Sequence, residues 1–426
     1  MPVKQPARIG AYELKQARQP LKQRSTPAGM TMVRGLIFVW LLTALPVYAA
    51  QTLRDAVERA WLRQPAAQTQ RARVDELDAR REAARAAFPE PPSMRIGNRN
   101  DRLNHNQGSN EWEAELALPL WLPGERVRQT AVVDAEQNQY DVALAAAKLK
   151  VAGEVREAFW QARLADNEVA LARRKVEEAA TLASDVERRV KAGDLARIDF
   201  NQARGAEAGA RAALTDAQVR SYKARRTFEF LTGMAALPSG AEKVEAGAAL
   251  DNHPQLASLQ RVIATAHAKL AQVQHKKRDN PELELGVRRE RGAFDDPYRN
   301  ALMVRFRLPF ATDARNRPRV TAANAELIEA QAAYQLEHAK LAAEGDAARR
   351  EAEEARTIEK LVESRFRLAE ETQRLQARAF ALGELDLVSR LRVESERFEA
   401  ELAFSRTQLE AARAVARLNQ ALGVLP

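Results

Sequence analysis

The 426-residue sequence contains no cysteine. That excludes a disulfide framework, a thiolate metal site and a lipidated N-terminal cysteine. Aromatic residues make up only 6% of a chain that is 46% hydrophobic, and Ala, Arg, Glu and Leu dominate, which is the composition of long helices and coiled coils. The five histidines, His105, His253, His267, His275 and His338, are scattered with no HExxH or paired spacing, so no metal ligand set and no cofactor is expected. Nor is there a candidate triad, phosphate loop or carboxylate pair.

Strong charge bias is also missing. The formal net charge is +9, but residues 1–49 hold seven Lys or Arg against the single acid Glu13, which leaves +3 for everything after them. A broad phosphate-binding surface is excluded by so small a charge, and with it a soluble coiled-coil nucleic-acid binder. The apolar run from Leu36 to Leu45, flanked by Arg34 and followed by Val47-Tyr48-Ala49, is too short to span a bilayer and has the grammar of a cleaved secretory signal. Either translation starts at Met30, the favoured reading, or the signal has a long polar n-region; in both cases the mature chain is expected to begin near Ala50 outside the cytoplasm.

What is present is a repeat. "LPLWLPGERVRQTAVVDAE" at Leu118 returns as "LPFATDARNRPRVTAANAE" at Leu308, and the same shift of 190 carries Gly193 to Gly383, Leu195 to Leu385 and Gly233 to Gly423. Upstream, a shift of 189 carries Pro65 to Pro254 and Gly97 to Gly286. A period this long is a duplicated domain rather than a solenoid. The expected boundaries are a leader at 1–49, a first repeat at 50–240 and a second at 241–426.

Each repeat reads as an upper helix, a β-hairpin and a long helical hairpin. In the first, Trp112, Ala114, Leu116 and Leu118 alternate with Glu113, Glu115 and Ala117; in the second, Leu302, Val304, Phe306 and Leu308 alternate with Arg305 and Arg307. A two-residue period with one apolar and one charged face places a strand between a greasy and a wet environment. Partner strands carry Met94 and Ile96, and Leu283, Leu285 and Val287. Each hairpin is expected to stand isolated between helices. Four strands cannot close a barrel, so closure requires several chains, and three would supply twelve strands.

After Pro119 and Pro309, the strand-helix junctions, the period becomes helical. Val155, Ala162, Val169, Val176, Ala183 and Val190 are spaced by sevens, as are Leu361, Leu368, Leu375 and Leu382, giving a seam for close helix packing. Helix is expected from Thr130 to Ala192, about 95 Å. The return helix from Ala196 to Leu231 is expected to stack end to end with Leu250–Asp279, and the return helix Asp386–Ala421 with the helix from Thr52.

The ordered set of duplication, strand-to-helix elements, "NHPQL" at Asn252 and the turns "RRVKAGDLARIDF" and "ARAFALGELDLVSR" resembles the TolC-like outer-membrane factor family. The chain's end three residues after Gly423 is most similar to that family's heavy-metal efflux branch. The resemblance implies a mainly α fold with a small β part: a trimer whose twelve-stranded barrel lies in the outer membrane of a Gram-negative cell and whose helical tunnel crosses the periplasm. It implies a passive duct, not an enzyme, serving an inner-membrane RND transporter through a periplasmic adaptor, with metal cations or small toxic compounds as cargo. A type I secretion duct and a periplasmic adaptor or coiled-coil structural protein are the alternatives. In this frame Trp112, Leu116, Leu118, Leu302, Val304, Phe306 and Leu308 face lipid. Gly193, Leu195, Gly383 and Leu385 form exposed tips that dock the adaptor, the alternative being that the two leucines cap the hairpins' own core, and Asp194, Glu384 and Asp386 ring the periplasmic aperture.

Overall fold

A computed structural model describes residues 52–426, apart from Ala246, Ala248 and Ala311. The leader expected at residues 1–49 lies outside the described residues. Helices α1 (Leu53–Arg63) and α2 (Pro65–Arg85) lead into strands β1 (Ser93–Asn100) and β2 (Asn110–Pro119), then helices α3 (Glu125–Ala192) and α4 (Arg197–Thr232). The order repeats with α5 (Pro254–His275), β3 (Glu282–Arg291), β4 (Arg299–Arg307), α6 (Asp313–Ala381) and α7 (Leu387–Ala421). Among the described residues no helix is long and apolar enough to cross a membrane.

Local chemistry sets the boundaries. Thr52 and Asp55 form a reciprocal capping box at the start of α1, satisfying two N–H groups that a helix start leaves free. Pro65 and Pro254 each occupy the first turn of their helix, where a missing N–H costs nothing. At the far end α3 closes on Gly193 (φ 89°), with Gly193 N–H donating to Val190 O and Asp194 N–H to Arg189 O. The second copy repeats the bonds 190 residues later: Gly383 (φ 79°) donates to Phe380 O and Glu384 to Ala379 O. A left-handed residue is required to fold the chain back onto these carbonyls, and glycine takes that conformation without a Cβ clash.

Helices α3 and α6, of 68 and 69 residues, are each about 100 Å long at 1.5 Å per residue. Next to them, α4 packs on α3, α3 also touches α7, and α7 packs on α6, so the four run in the order α4-α3-α7-α6, with α4 and α6 outermost. Of the α3 heptad seam, Val155, Ala162 and Ala183 have no exposed surface, whereas Val169, Val176 and Val190 are half-buried. The main core lies where α1 crosses α3 and α4, around Phe159, Trp160 and Phe228 with Leu53, Val57 and Met234. Phe159 sits edge-on to Trp160 at 5.1 Å between ring centroids, an arrangement that aligns a positive ring edge with a negative face.

Three expectations are corrected. The stacking partners are exchanged: Gly233, at the end of α4, lies against Arg63, whose Nη2 donates to Phe230 O at 3.2 Å, and Gly423, at the end of α7, lies against His253 and Pro254 at the start of α5. Each return helix therefore abuts the upper helix of its own copy. Its spent C-terminal carbonyls meet an arginine or a helix start rather than solvent. The second correction is that the hairpins are not isolated. Strand β2 pairs with β3 over ten residue pairs from Asn110↔Arg291 to Pro119↔Glu282, so that one antiparallel sheet runs β1-β2-β3-β4. Third, the helix expected over Leu250–Asp279 is shorter, because His253 caps α5 through Nδ1, accepting from Gln255 N–H, and the chain is already extended before Glu282.

Candidate functional site

The sheet separates two environments. Register places Ile96, Ala114, Val287 and Leu302 in one cross-strand row and Met94, Leu116, Leu285 and Val304 in the next; Leu118, Leu283 and Phe306 form a third. These side chains are among the most exposed apolar groups of the molecule: Leu302 is 78% accessible, Met94 69% and Val304 64%. Side chains at strand positions between them form the opposite face, where Arg95 and Arg305 both reach Glu115, Arg99 reaches Glu111, Arg288 joins Glu111 to Glu113, and Arg307 meets Glu282 at 3.5 Å. Six arginines and six glutamates alternate across this face, counting Arg299 opposite Glu290 and Glu284 near Arg305. Such a ladder is close to electroneutral. Paired charges of this kind suit a wet surface, and bare apolar rows do not.

Strand pairing ends at β1 on one side and β4 on the other, leaving two rows of unpaired backbone groups. The two strand-helix junctions differ. After Pro119, which is buried, Glu125 is 3% exposed and accepts from Leu122 N–H and Asn280 Nδ2 while pairing with Lys276 at 2.7 Å. After Pro309 there is no such lock in the described residues, and Phe310 is 86% exposed. The first junction lies inside the sheet and the second at its edge, which accounts for the asymmetry.

At the opposite end both helical turns close on one small core of Leu182, Ala183, Val186, Ala203, Phe380 and Leu387. Leu195 and Leu385 pack against it half-buried, rather than standing exposed as the sequence suggested, because the Schellman turn swings them back over the helix ends. Arg189 and Arg390 lie over the Phe380 ring at 5.1 and 4.7 Å. Exposed apolar groups near the turns are instead Leu382 (70%), Ile198 (64%) and Val388 (54%). Asp194, Glu384 and Asp386 are exposed, and Asp386 is the N-cap residue of α7 without a side-chain capping bond. Glu187, just above, is held below the usual carboxylate range by a hydrogen bond from Lys191, that residue's charge, and Arg204.

One seam expected to pack closely is bare within the chain, and one feature was not foreseen. The heptad leucines of α6, Leu361, Leu368, Leu375 and Leu382, are 63–70% exposed and form a stripe down its outer side; the spacing was visible, but nothing in it says that α6 is an edge helix. A strap over residues 234–245 is fixed by Arg156, 3% exposed, whose guanidinium grips both carboxylate oxygens of Glu242 at 2.9–3.2 Å, and by Asn419, which bonds Lys243 O and Glu245 N–H. The partners lie far apart in sequence. Among the described residues no three His, Asp or Glu gather in a way that could hold a metal ion.

Comparison with known proteins places this geometry. The family model described as outer membrane efflux protein matches residues 56–234. The cobalt-zinc-cadmium resistance protein CzcC of Cupriavidus metallidurans is 26% identical over 234 residues, covering 52% of this chain and 55% of the relative. The chain thus matches about half the length of that curated relative. Among solved structures, CusC superposes with a TM-score of 0.71 at 14% identity, covering 88% of this chain and 93% of its own. VceC of Vibrio cholerae gives 0.70 at 15%, covering 87% and 96%. At those identities the likeness is one of fold.

Proposed function

We propose that this chain, whose residues 56–234 match the family model of outer membrane efflux proteins, is a member of that family and one of three identical subunits of a passive exit duct. Its two repeats, residues 50–240 and 241–426, each supply a hairpin to a twelve-stranded barrel in the outer membrane and a helical hairpin to a periplasmic tunnel. The observation that carries this is the two-faced sheet, with three bare apolar rows on one side and an ion-paired ladder on the other. A barrel wall between lipid and water needs that division, and a soluble sheet does not. Unpaired edges at β1 and β4 support closure by further copies, since an open edge in lipid leaves backbone groups unsatisfied. The leucine stripe of α6 and the exposed Val219, Tyr222 and Phe230 of α4 support the same closure below the membrane, each outer helix meeting the other helix of the next copy.

Cargo is proposed from the relative rather than from a site. Likeness to a cobalt-zinc-cadmium resistance protein favours divalent metal cations, delivered by an inner-membrane RND transporter through a periplasmic adaptor. The adaptor would meet the turns at Gly193 and Gly383, with Leu382, Ile198 and Val388 as the apolar contacts and Leu195 and Leu385 supporting them from beneath. Asp194, Glu384 and Asp386 would then ring the aperture. Deletion of the gene should lower tolerance to zinc, cobalt or cadmium, with restoration by the wild-type chain and not by Leu382→Asp. Unchanged metal tolerance alongside lost drug tolerance or lost protein export would overturn the metal assignment and leave the duct intact.

A further inference from the structure

The apolar face of the sheet ends in two arginines. Beyond the rows already described, the same face continues on β3 with Arg289, in register with Trp112 and Asn300, and then Arg291, in register with Asn110. On the ion-paired face, five of the six arginines have a carboxylate within reach. Neither Arg289 nor Arg291 has one among the described residues. They are held instead by aromatic rings: Arg289 lies 4.5 Å from the centre of the Tyr298 ring, and Arg291 lies 5.0 Å from Tyr298 and 5.5 Å from Phe294. Arg291 Nε also donates to Gly108 O at 3.0 Å. Stacking on a ring fixes a guanidinium in place and leaves most of its N–H fork open.

Position gives these groups their meaning. Counted along β2 from Leu118, the Trp112 row is six residues away and the Asn110 row eight, about 20 and 27 Å along the strand at 3.4 Å per residue. Tilted as barrel strands are, those lengths become about 15 and 21 Å along the membrane normal, inside an apolar band about 25 Å tall. Measured from Leu118, Arg291 therefore lies near the far edge of that band and Arg289 one row below it, both beyond the last apolar row and on the side of the hairpin turns. A groove of about 470 Å³ runs beside Arg289, lined by Ile96, Trp112, Val287, Asn300 and Leu302. Its apolar row of Ile96, Ala114, Val287 and Leu302 lies on the helix side of the Trp112–Arg289–Asn300 row, and the ion-paired Glu113 and Arg288 also border it.

We infer that Arg289 and Arg291 bind the phosphate of an outer-leaflet lipid whose acyl chain lies in this groove. An arginine fork matches phosphate oxygens two at a time, and a phosphate-bearing lipid is the anion available to a charge that points out of a barrel wall. Glu290, between the two arginines in sequence, belongs to the opposite face, where it lies 3.9 Å from Arg288, and neither it nor Asp295 or Asp296 of the β3–β4 turn pairs with these arginines. The inference rests on the membrane reading of the sheet, and its test separates the two.

Full-length chain in detergent is titrated with diphosphoryl lipid A and with the same lipid dephosphorylated, and bound lipid is counted by native mass spectrometry. The wild type should prefer the diphosphoryl form at least tenfold, and the Arg289→Gln/Arg291→Gln pair should lose that preference. Arg289→Gln alone should lose part of it, and Arg307→Gln, on the opposite face, should keep it. No preference in the wild type, or a preference that survives the double substitution, overturns the inference. Competition by equimolar inorganic phosphate also overturns it, since the acyl chain would then contribute nothing. Insertion into phosphatidylcholine vesicles is measured in parallel: failure to insert defeats the membrane reading, whereas insertion without phosphate preference defeats only the arginine assignment.

Discussion

Val304→Arg tests the lipid face where it is most apolar. Val304 lies in the row of Met94, Leu116 and Leu285 and is 64% exposed in the single chain. In a soluble sheet so exposed a valine would accept arginine at a cost within about 0.5 kcal/mol. On the lipid side of a barrel, arginine costs about 2–4 kcal/mol at the midplane, and the three copies of a trimer multiply that threefold. Even the lower figure per chain is roughly a thirtyfold shift in an equilibrium. The expected result is a large loss of heat-resistant oligomer from the outer-membrane fraction, read by gel shift of unboiled samples. A suitable control is Arg307→Gln, because Arg307 is 69% exposed at its side chain and makes one loose pair. Glu115→Gln is unsuitable: Glu115 is 6% exposed and bridges Arg95 and Arg305, so it should destabilise the sheet itself. Equal oligomer yields from Val304→Arg and Arg307→Gln would refute the assignment of this face to lipid.

Phe228→Ala empties the middle of the main core, where Phe228 is 1% exposed, and should cost about 3–5 kcal/mol in denaturant unfolding of the detergent-solubilised chain. Gly383→Ala should cost about 1–2 kcal/mol in the same assay, from backbone conformation alone, since its Cβ would meet open space. Gly423→Ala should cost distinctly more, because its Cβ would stand 2.7 Å from the His253 ring. Burial pushes the His253 imidazole below its ordinary value, against the opposing charges of Glu337 and Glu344. The neutral ring is thus favoured in the fold, so the unfolded chain binds more protons below pH 6.5 and stability should fall as pH drops through that value. His253→Asn, which keeps a capping acceptor, should flatten that part of the pH profile of the melting temperature.

The pattern of alternation was enough to read the strands, because side-chain direction in a strand depends only on position parity. Leu302, Val304 and Phe306 could therefore be placed on one face without knowing their partners. The duplication likewise exposed the two Schellman turns, since Gly193 and Gly383 fall at the same place in each copy. Partner choice was not legible. Nothing in the composition of β2 and β3 says that Ala114 stands opposite Val287, and helix length alone permitted the wrong stacking of α4 on α5. Equal lengths satisfy several end-to-end pairings, and the choice is made by side chains such as Arg63 and His253 that meet only in the fold. Leu195 and Leu385 show a related limit: the sequence marks them as apolar residues at a turn, but their burial depends on the geometry of the turn itself. Arg289 and Arg291 were visible as the continuation of Leu283, Leu285 and Val287, and became distinct only once they were found stacked on Tyr298 and Phe294, on the face opposite the ion-paired arginines.

Single-channel recording of the purified full-length chain in a planar bilayer bears most directly on the duct. Three copies closing one water-filled barrel should enter as a unit and produce discrete, uniform conductance steps of long lifetime, abolished by Val304→Arg and retained by Arg307→Gln. A chain that stays in solution without detergent and leaves the bilayer silent would contradict the account.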